Sequence, residues 1–152
     1  MSDIVRFKLA GVFNYRIGAG GFLSSKKVEV IDYSHFNGNI SRFATEYLNS
    51  FQLLPIYEFS NTSKFYTLAH VEHHFNGFLT NKVPVLRKLN WYLVGGLNNF
   101  HVDKTDYLEV FGGFENIFKI MRIDYVFSFR DGQGGRSAIR VGFKRTLART
   151  DD

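Results

Sequence analysis

Cysteine is absent from the 152 residues, and proline occurs twice and tryptophan once. Without thiols there is no disulfide, no cysteine nucleophile and no thiolate-held metal, and the redox compartment is left open. No apolar run approaches the ~20 residues a spanning helix needs. The mean hydropathy of −0.14 agrees, so a helical membrane protein is excluded. A β-barrel is not excluded, because its strands alternate and average to neutral. A helical period is lacking too: no stretch returns its apolar residues every third or fourth position.

Acidic residues are also in short supply, 14 against 19 Lys and Arg, for a net charge of +5. The bases are spread along the chain, with Lys26-Lys27, Arg87-Lys88 and Lys144-Arg145 the doublets. A nucleic-acid footprint concentrates them on one element, so no nucleic-acid partner is expected. Met1-Ser2-Asp3-Ile4-Val5-Arg6 enters a strand pattern directly, with no signal peptide. The expectation is either an intracellular protein or a true start upstream of Met1.

What the chain does contain is aromatic residues, 17% of the total, in strict alternation with polar ones. Met121, Ile123, Tyr125, Phe127 and Phe129 interleave with Arg122, Asp124, Val126 and Ser128. From Val5 to Ile17, the odd residues Val5, Phe7, Leu9, Gly11, Phe13, Tyr15 and Ile17 face Arg6, Lys8, Ala10, Val12, Asn14 and Arg16. Successive side chains of a strand point to opposite faces, so each segment has one apolar face and one that carries charge. The pattern predicts six strands, at about 5–22, 64–78, 90–101, 106–116, 120–130 and 138–147. Most have the ~9–11 residues that cross a bilayer at a tilt. Short connections such as Asn116–Lys119 and Asp131-Gly132-Gln133-Gly134-Gly135 imply an antiparallel meander with no crossover helix.

Residues 24–63 are too long for a simple connector and too aromatic for a disordered one. The segment is expected to fold back into the interior of a barrel, with 50–59 a candidate further strand and Pro55 near an edge or bulge. Six strands are too few for a closed spanning barrel, which starts at about 8. The fold class expected is therefore all-β, an incomplete portion of a larger barrel in a single domain over 1–152.

The alternation does not say whether the apolar face meets a protein core or lipid. Rings near strand ends (Phe65, Phe75, Trp91, Phe127, Phe129 and Phe143) match the aromatic girdles of membrane barrels. A soluble sandwich would look alike. His70, Glu72 and His74 share a face while His73 points the other way. Same-face groups ~6–7 Å apart along a strand need help from a neighbouring strand to hold a metal, so no metal site is expected. The glycine-rich segments at 18–21 and 132–135 precede no helix, which removes a phosphate cradle. No Ser–His–Asp spacing or isolated carboxylate pair points to catalysis, and neither an enzyme nor a cofactor is expected.

Three segments carry a family resemblance: residues 73–90, HHFNGFLTNKVPVLRKLN; residues 15–23, YRIGAGGFL, with 32–39, DYSHFNGN; and residues 114–125, FENIFKIMRIDY. Together they resemble a family of Gram-negative outer-membrane barrels of unknown function. Full-length members carry an N-terminal carboxypeptidase-regulatory-like domain, and the family is similar to the surface-antigen superfamily that includes BamA and TamA. The resemblance implies the last strands of a barrel of about 16, read as a C-terminal fragment or truncated gene product. It also implies that 24–63 is an extracellular loop dipping into the lumen, with the tip His35, Phe36, Asn37, Gly38 and Asn39 docked on the wall. His70, Glu72, His74, Arg122, Asp124 and Arg140 would form a polar lumen network. Phe7, Phe13, Tyr125, Phe127, Phe129 and Phe143 would face lipid. The partners expected are the outer-membrane bilayer and the remainder of the barrel or other subunits. The role expected is transport, assembly or surface attachment. The alternative is a soluble antiparallel β-sheet protein that binds a ligand or partner through the 24–63 loop.

Overall fold

The computed structural model describes residues 2–7, 11–21, 34–35, 38–39, 43, 50–54, 60–61, 65–102 and 105–143. Its body is one open seven-stranded antiparallel sheet built from β1 (Ser2–Phe7), β2 (Gly11–Gly20), β5 (Tyr66–His74), β6 (Tyr92–Val102), β7 (Thr105–Ile117), β8 (Met121–Arg130) and β9 (Gln133–Phe143), paired in that order. Two short strands, β3 (Ser34–His35) and β4 (Ser60–Asn61), pair separately inside the long connection. The meander is as expected, with seven strands where six were predicted. Among the described residues β1 and β9 do not meet, and the sheet is not closed.

The extra strand comes from the predicted 5–22 segment, which is a hairpin. Phe7 pairs with Gly11 and Val5 with Phe13. Partners in this register are an even number of residues apart, so odd residues stay on one face across the reversal. Alternation alone cannot reveal such a turn. Gly11 marks it, with a φ of +106° and a backbone so close to the His74 carbonyl that a Cβ would overlap it. The predicted strand at 50–59 is not one over its described part: residues 50–54 are irregular, with a bend at 52–54, and lie on the sheet.

One helix occurs where none was expected. α1 (Pro84–Leu89) follows a 3-10 turn (Thr80–Lys82) between β5 and β6. Pro84 sits at the first helical position, where its missing N–H costs nothing, and Asn90 ends the helix in the left-handed region at φ 54°. The turn between β8 and β9 is only Asp131-Gly132, both with positive φ, so β9 starts five residues before its predicted position.

The strands give the sheet two ends. The long connection, residues 21–65, leaves from one. α1 and the 118–120 turn lie at the other, which we call the helix end.

The register sorts the side chains cleanly. One face carries Phe13, Tyr15 and Ile17 of β2, Leu108, Val110 and Phe114 of β7, Ile123, Tyr125, Phe127 and Phe129 of β8, and Ile139 and Val141 of β9. No Lys, Arg or Glu occupies that face on β2, β5, β6, β7 or β8. Its carboxylates are Asp106, second in β7 at the end from which the long connection leaves, and Asp3, which the register sets opposite Tyr15 in the middle of β2. The opposite face carries Arg16, His70, Glu72, Asn98, Glu109, Asp124 and Arg140.

Burial divides the faces unusually. The middle of the charged face is buried, with Glu109 and Asp124 both at 0% exposure, while Tyr125 and Ile139 on the apolar face are 54% and 63% exposed.

Candidate functional site

The charged face is covered by Ser50–Leu54 of the long connection, all five residues buried. Glu109 anchors them. Its carboxylate accepts the backbone N–H of Gln52 at 2.7 Å and of Leu53 at 2.8 Å. Tyr107 donates its hydroxyl at 2.9 Å, and the Asn98 amide donates at 3.4 Å. A carboxylate has about four lone-pair positions, and all are used here. The other side of Gln52 is held as well, its carbonyl accepting from the Arg140 guanidinium. A base and an acid on strands two apart in the sheet therefore grip one loop residue by both its backbone polar groups.

Apolar contacts flank this grip. The Phe51 ring meets His70 at 5.0 Å and packs edge-on against Phe100 at 5.2 Å and Tyr107 at 5.7 Å, while Phe100 and Tyr107 stack on one another. Leu54 completes that cluster, and Leu53 enters a second one with Phe111 and Val126. His70 is fixed through Nδ1, 2.9 Å from the Asn98 side-chain oxygen. Buried polar groups with partners thus alternate with rings under the loop.

Of the predicted docking tip, Asn39 is buried, donates its backbone N–H to the Leu54 carbonyl at 2.8 Å, and donates its amide to the Phe43 carbonyl at 2.7 Å. It ties the tip region to the 50–54 segment. His35 lies in β3 and Gly38 beside Asn39, while Phe36 and Asn37 fall outside the described residues. Phe43 forms an isolated parallel bridge to Val141 on β9.

A second polar cluster occupies the same face toward the helix end. Arg122 donates Nε to Asp124 at 2.6 Å and Nη1 to Glu72. The Glu72 carboxylate is 3.3 Å from His74 Nε2, and His74 Nδ1 is 2.9 Å from Glu115. The row runs Glu115–His74–Glu72–Arg122–Asp124 across β7, β5 and β8. Both His74 nitrogens already face carboxylates, so the ring has no lone pair to offer a metal. Among the described residues, no three His, Asp or Glu side chains gather as a metal site.

Of the six polar residues singled out in the sequence, Glu72, His74, Arg122 and Asp124 meet in this row, Arg140 joins the loop grip, and His70 reaches it through Asn98. Phe7, Phe13, Tyr125, Phe127, Phe129 and Phe143 all lie on the apolar face. Sequence reasoning missed Glu109, Asn98, Tyr107 and Ser50–Leu54. The readable signal was Glu109 itself, a lone acid flanked at i−2 and i+2 by Tyr107 and Phe111 on the charge-bearing face of its strand.

Fold and site together define an all-β protein built on an antiparallel meander that binds one of its own connections to its charged face. No curated protein and no solved structure matches it. Residues 1–114 match the C-terminal domain of a family of unknown function, DUF5686, and the chain belongs to that family.

Proposed function

We propose that the sheet is a portion of the wall of an outer-membrane β-barrel, with the charged face toward the lumen, the apolar face toward lipid, and Ser50–Leu54 folded inward against the wall. One observation carries this: the buried face is the charged one and the exposed face the apolar one. Lipid favours that polarity, because the Lys, Arg and Glu side chains of β2 and β5–β8 are then kept from hydrocarbon. β1 and β9 do not pair with each other among the described residues, which supports closure by further strands, from the rest of the polypeptide or from other subunits. The role is non-catalytic: transport, assembly or surface attachment. The resemblance to the surface-antigen superfamily points the same way, since an infolded loop on the barrel wall is what it implies.

The buried cluster of Phe51, Leu54, Phe100 and Tyr107 favours one competing reading, a soluble half-sandwich whose core is built by the long connection. The two separate in one preparation. The lipid reading expects a protein that needs detergent, and whose strands resist protease once in vesicles. A monomer that stays soluble without detergent and melts cooperatively establishes the soluble reading instead.

A further inference from the structure

The helix end of the sheet carries a second surface. On α1, Val85 and Leu89 stand four apart on one side and are exposed, Val85 at 63%. Phe78, Leu79 and Val83 are exposed just before them. The 118–120 turn adds Phe118, 81% exposed, and Ile120. The two segments are tied together by the Asn116 amide, which donates to the Asn90 carbonyl at 2.8 Å.

Among these apolar groups stand Lys82, Arg87, Lys88 and Lys119, all exposed and none paired with a carboxylate among the described residues. The Lys82 ammonium lies over the Phe78 ring, 5.1 Å from its centre. The nearby acids do not offset this charge, because Glu72, Glu115 and Asp124 are held on the charged face by His74 and Arg122. The opposite end differs, mixing Asp106 and Asp131 with Arg130 and Arg136.

Phe118 shows what the surface is for. It sits in the left-handed region at φ 49°, a conformation that a ring-bearing residue adopts only at a cost. Its side chain is nonetheless left largely exposed. Bases interleaved with exposed aliphatic and aromatic groups fit one environment, the headgroup layer of an anionic bilayer: rings and stems enter the acyl boundary and the cations meet phosphate.

We propose that residues 78–91 and 118–120 form an interfacial foot that binds the headgroups of anionic phospholipid. The foot deepens the membrane reading and is measured separately from it. The full chain, folded in detergent, is mixed with phosphatidylcholine vesicles with or without phosphatidylglycerol. Retention on vesicles reports the foot, and protease protection of the strands reports spanning.

Retention is expected to rise with phosphatidylglycerol and to fall with added salt. Each base near an anionic surface contributes roughly fivefold. A variant combining K82Q, R87Q, K88Q and K119Q should therefore lose the anionic preference by a factor on the order of 10²–10³, with protection in neutral vesicles unchanged. Phe118→Asn suits the left-handed turn, so it should fold at least as well in detergent while retention falls about tenfold. Trp91, the single tryptophan, reports both from within the foot. A quadruple variant with undiminished anionic preference overturns the proposal. So does a DNA duplex that displaces the vesicles and loses its own binding in that variant, because the partner is then any polyanion. Missing protection in every vesicle removes the spanning reading and leaves the retention result to stand by itself.

Discussion

At the residue scale, Glu109 determines how the long connection is held. Its carboxylate accepts from Gln52, Leu53, Tyr107 and Asn98, so every position matters. Hydrogen bonds to a charged group contribute about 1.5–3 kcal/mol each, and an orphaned buried donor costs about 1–3 kcal/mol. Glu109→Gln puts an NH2 where an acceptor is needed, and should loosen the loop by about 2 kcal/mol. Native-state amide exchange at Gln52 and Leu53 should then speed roughly 30-fold; unchanged exchange would mean the grip is incidental. A second residue-scale test lies across the strand pair. A Cβ on Gly96 would stand 2.0 Å from the Val71 carbonyl oxygen and 2.6 Å from the Phe111 ring. Gly96→Ala should cost several kcal/mol by forcing β5 and β6 apart, read as a lower denaturation midpoint. The identity of Glu109 was open to a sequence reader, but its loop partners Gln52 and Leu53 stand more than fifty residues earlier. Nothing local announces a contact of that span.

Among the elements, the short segment 50–54 is held by the Phe51 ring and the Glu109 carboxylate, with Arg140, Leu53 and Leu54 beside them. Phe51→Ala removes the ring that meets His70, Phe100 and Tyr107, and should cost about 3–5 kcal/mol if the segment stays docked. Because Phe51 and Glu109 hold the same segment, the double variant should cost clearly less than the sum of the two singles. Additive costs in chemical denaturation would show instead that the two act independently.

The elements also show why some of the fold was legible and some was not. Alternation in 121–129 gives both faces of β8 correctly, because a single strand shows its parity directly. The hairpin at Phe7 and Gly11 stayed hidden because its register preserves parity. The helix stayed hidden because six residues hold less than two turns, too few for a period to emerge. Its caps were nevertheless present, as Pro84 at the start and Asn90 at the end. The 50–54 segment has the composition of a buried strand, but its N–H groups bond to a side chain instead of a neighbouring backbone, and no periodicity encodes that.

Over the whole molecule, the inverted polarity makes a quantitative demand. An arginine in place of Tyr125 or Ile139 would be nearly silent on a solvated surface. At a bilayer midplane it costs ≈ 2–4 kcal/mol. Refolding into vesicles should therefore show a loss of about that size for Tyr125→Arg, with little change for the same protein in detergent. Equal stability in both media would place that face in water.

The count of strands has its own consequence. With seven antiparallel strands, β1 and β9 point the same way. A ring made by pairing them directly, or by joining two copies side by side in one membrane orientation, would contain a parallel seam at each junction. An all-antiparallel ring requires the complement to contribute an odd number of strands, entering and leaving at opposite ends of the wall. The partner of this sheet is thereby restricted by parity alone, before any side chain is considered.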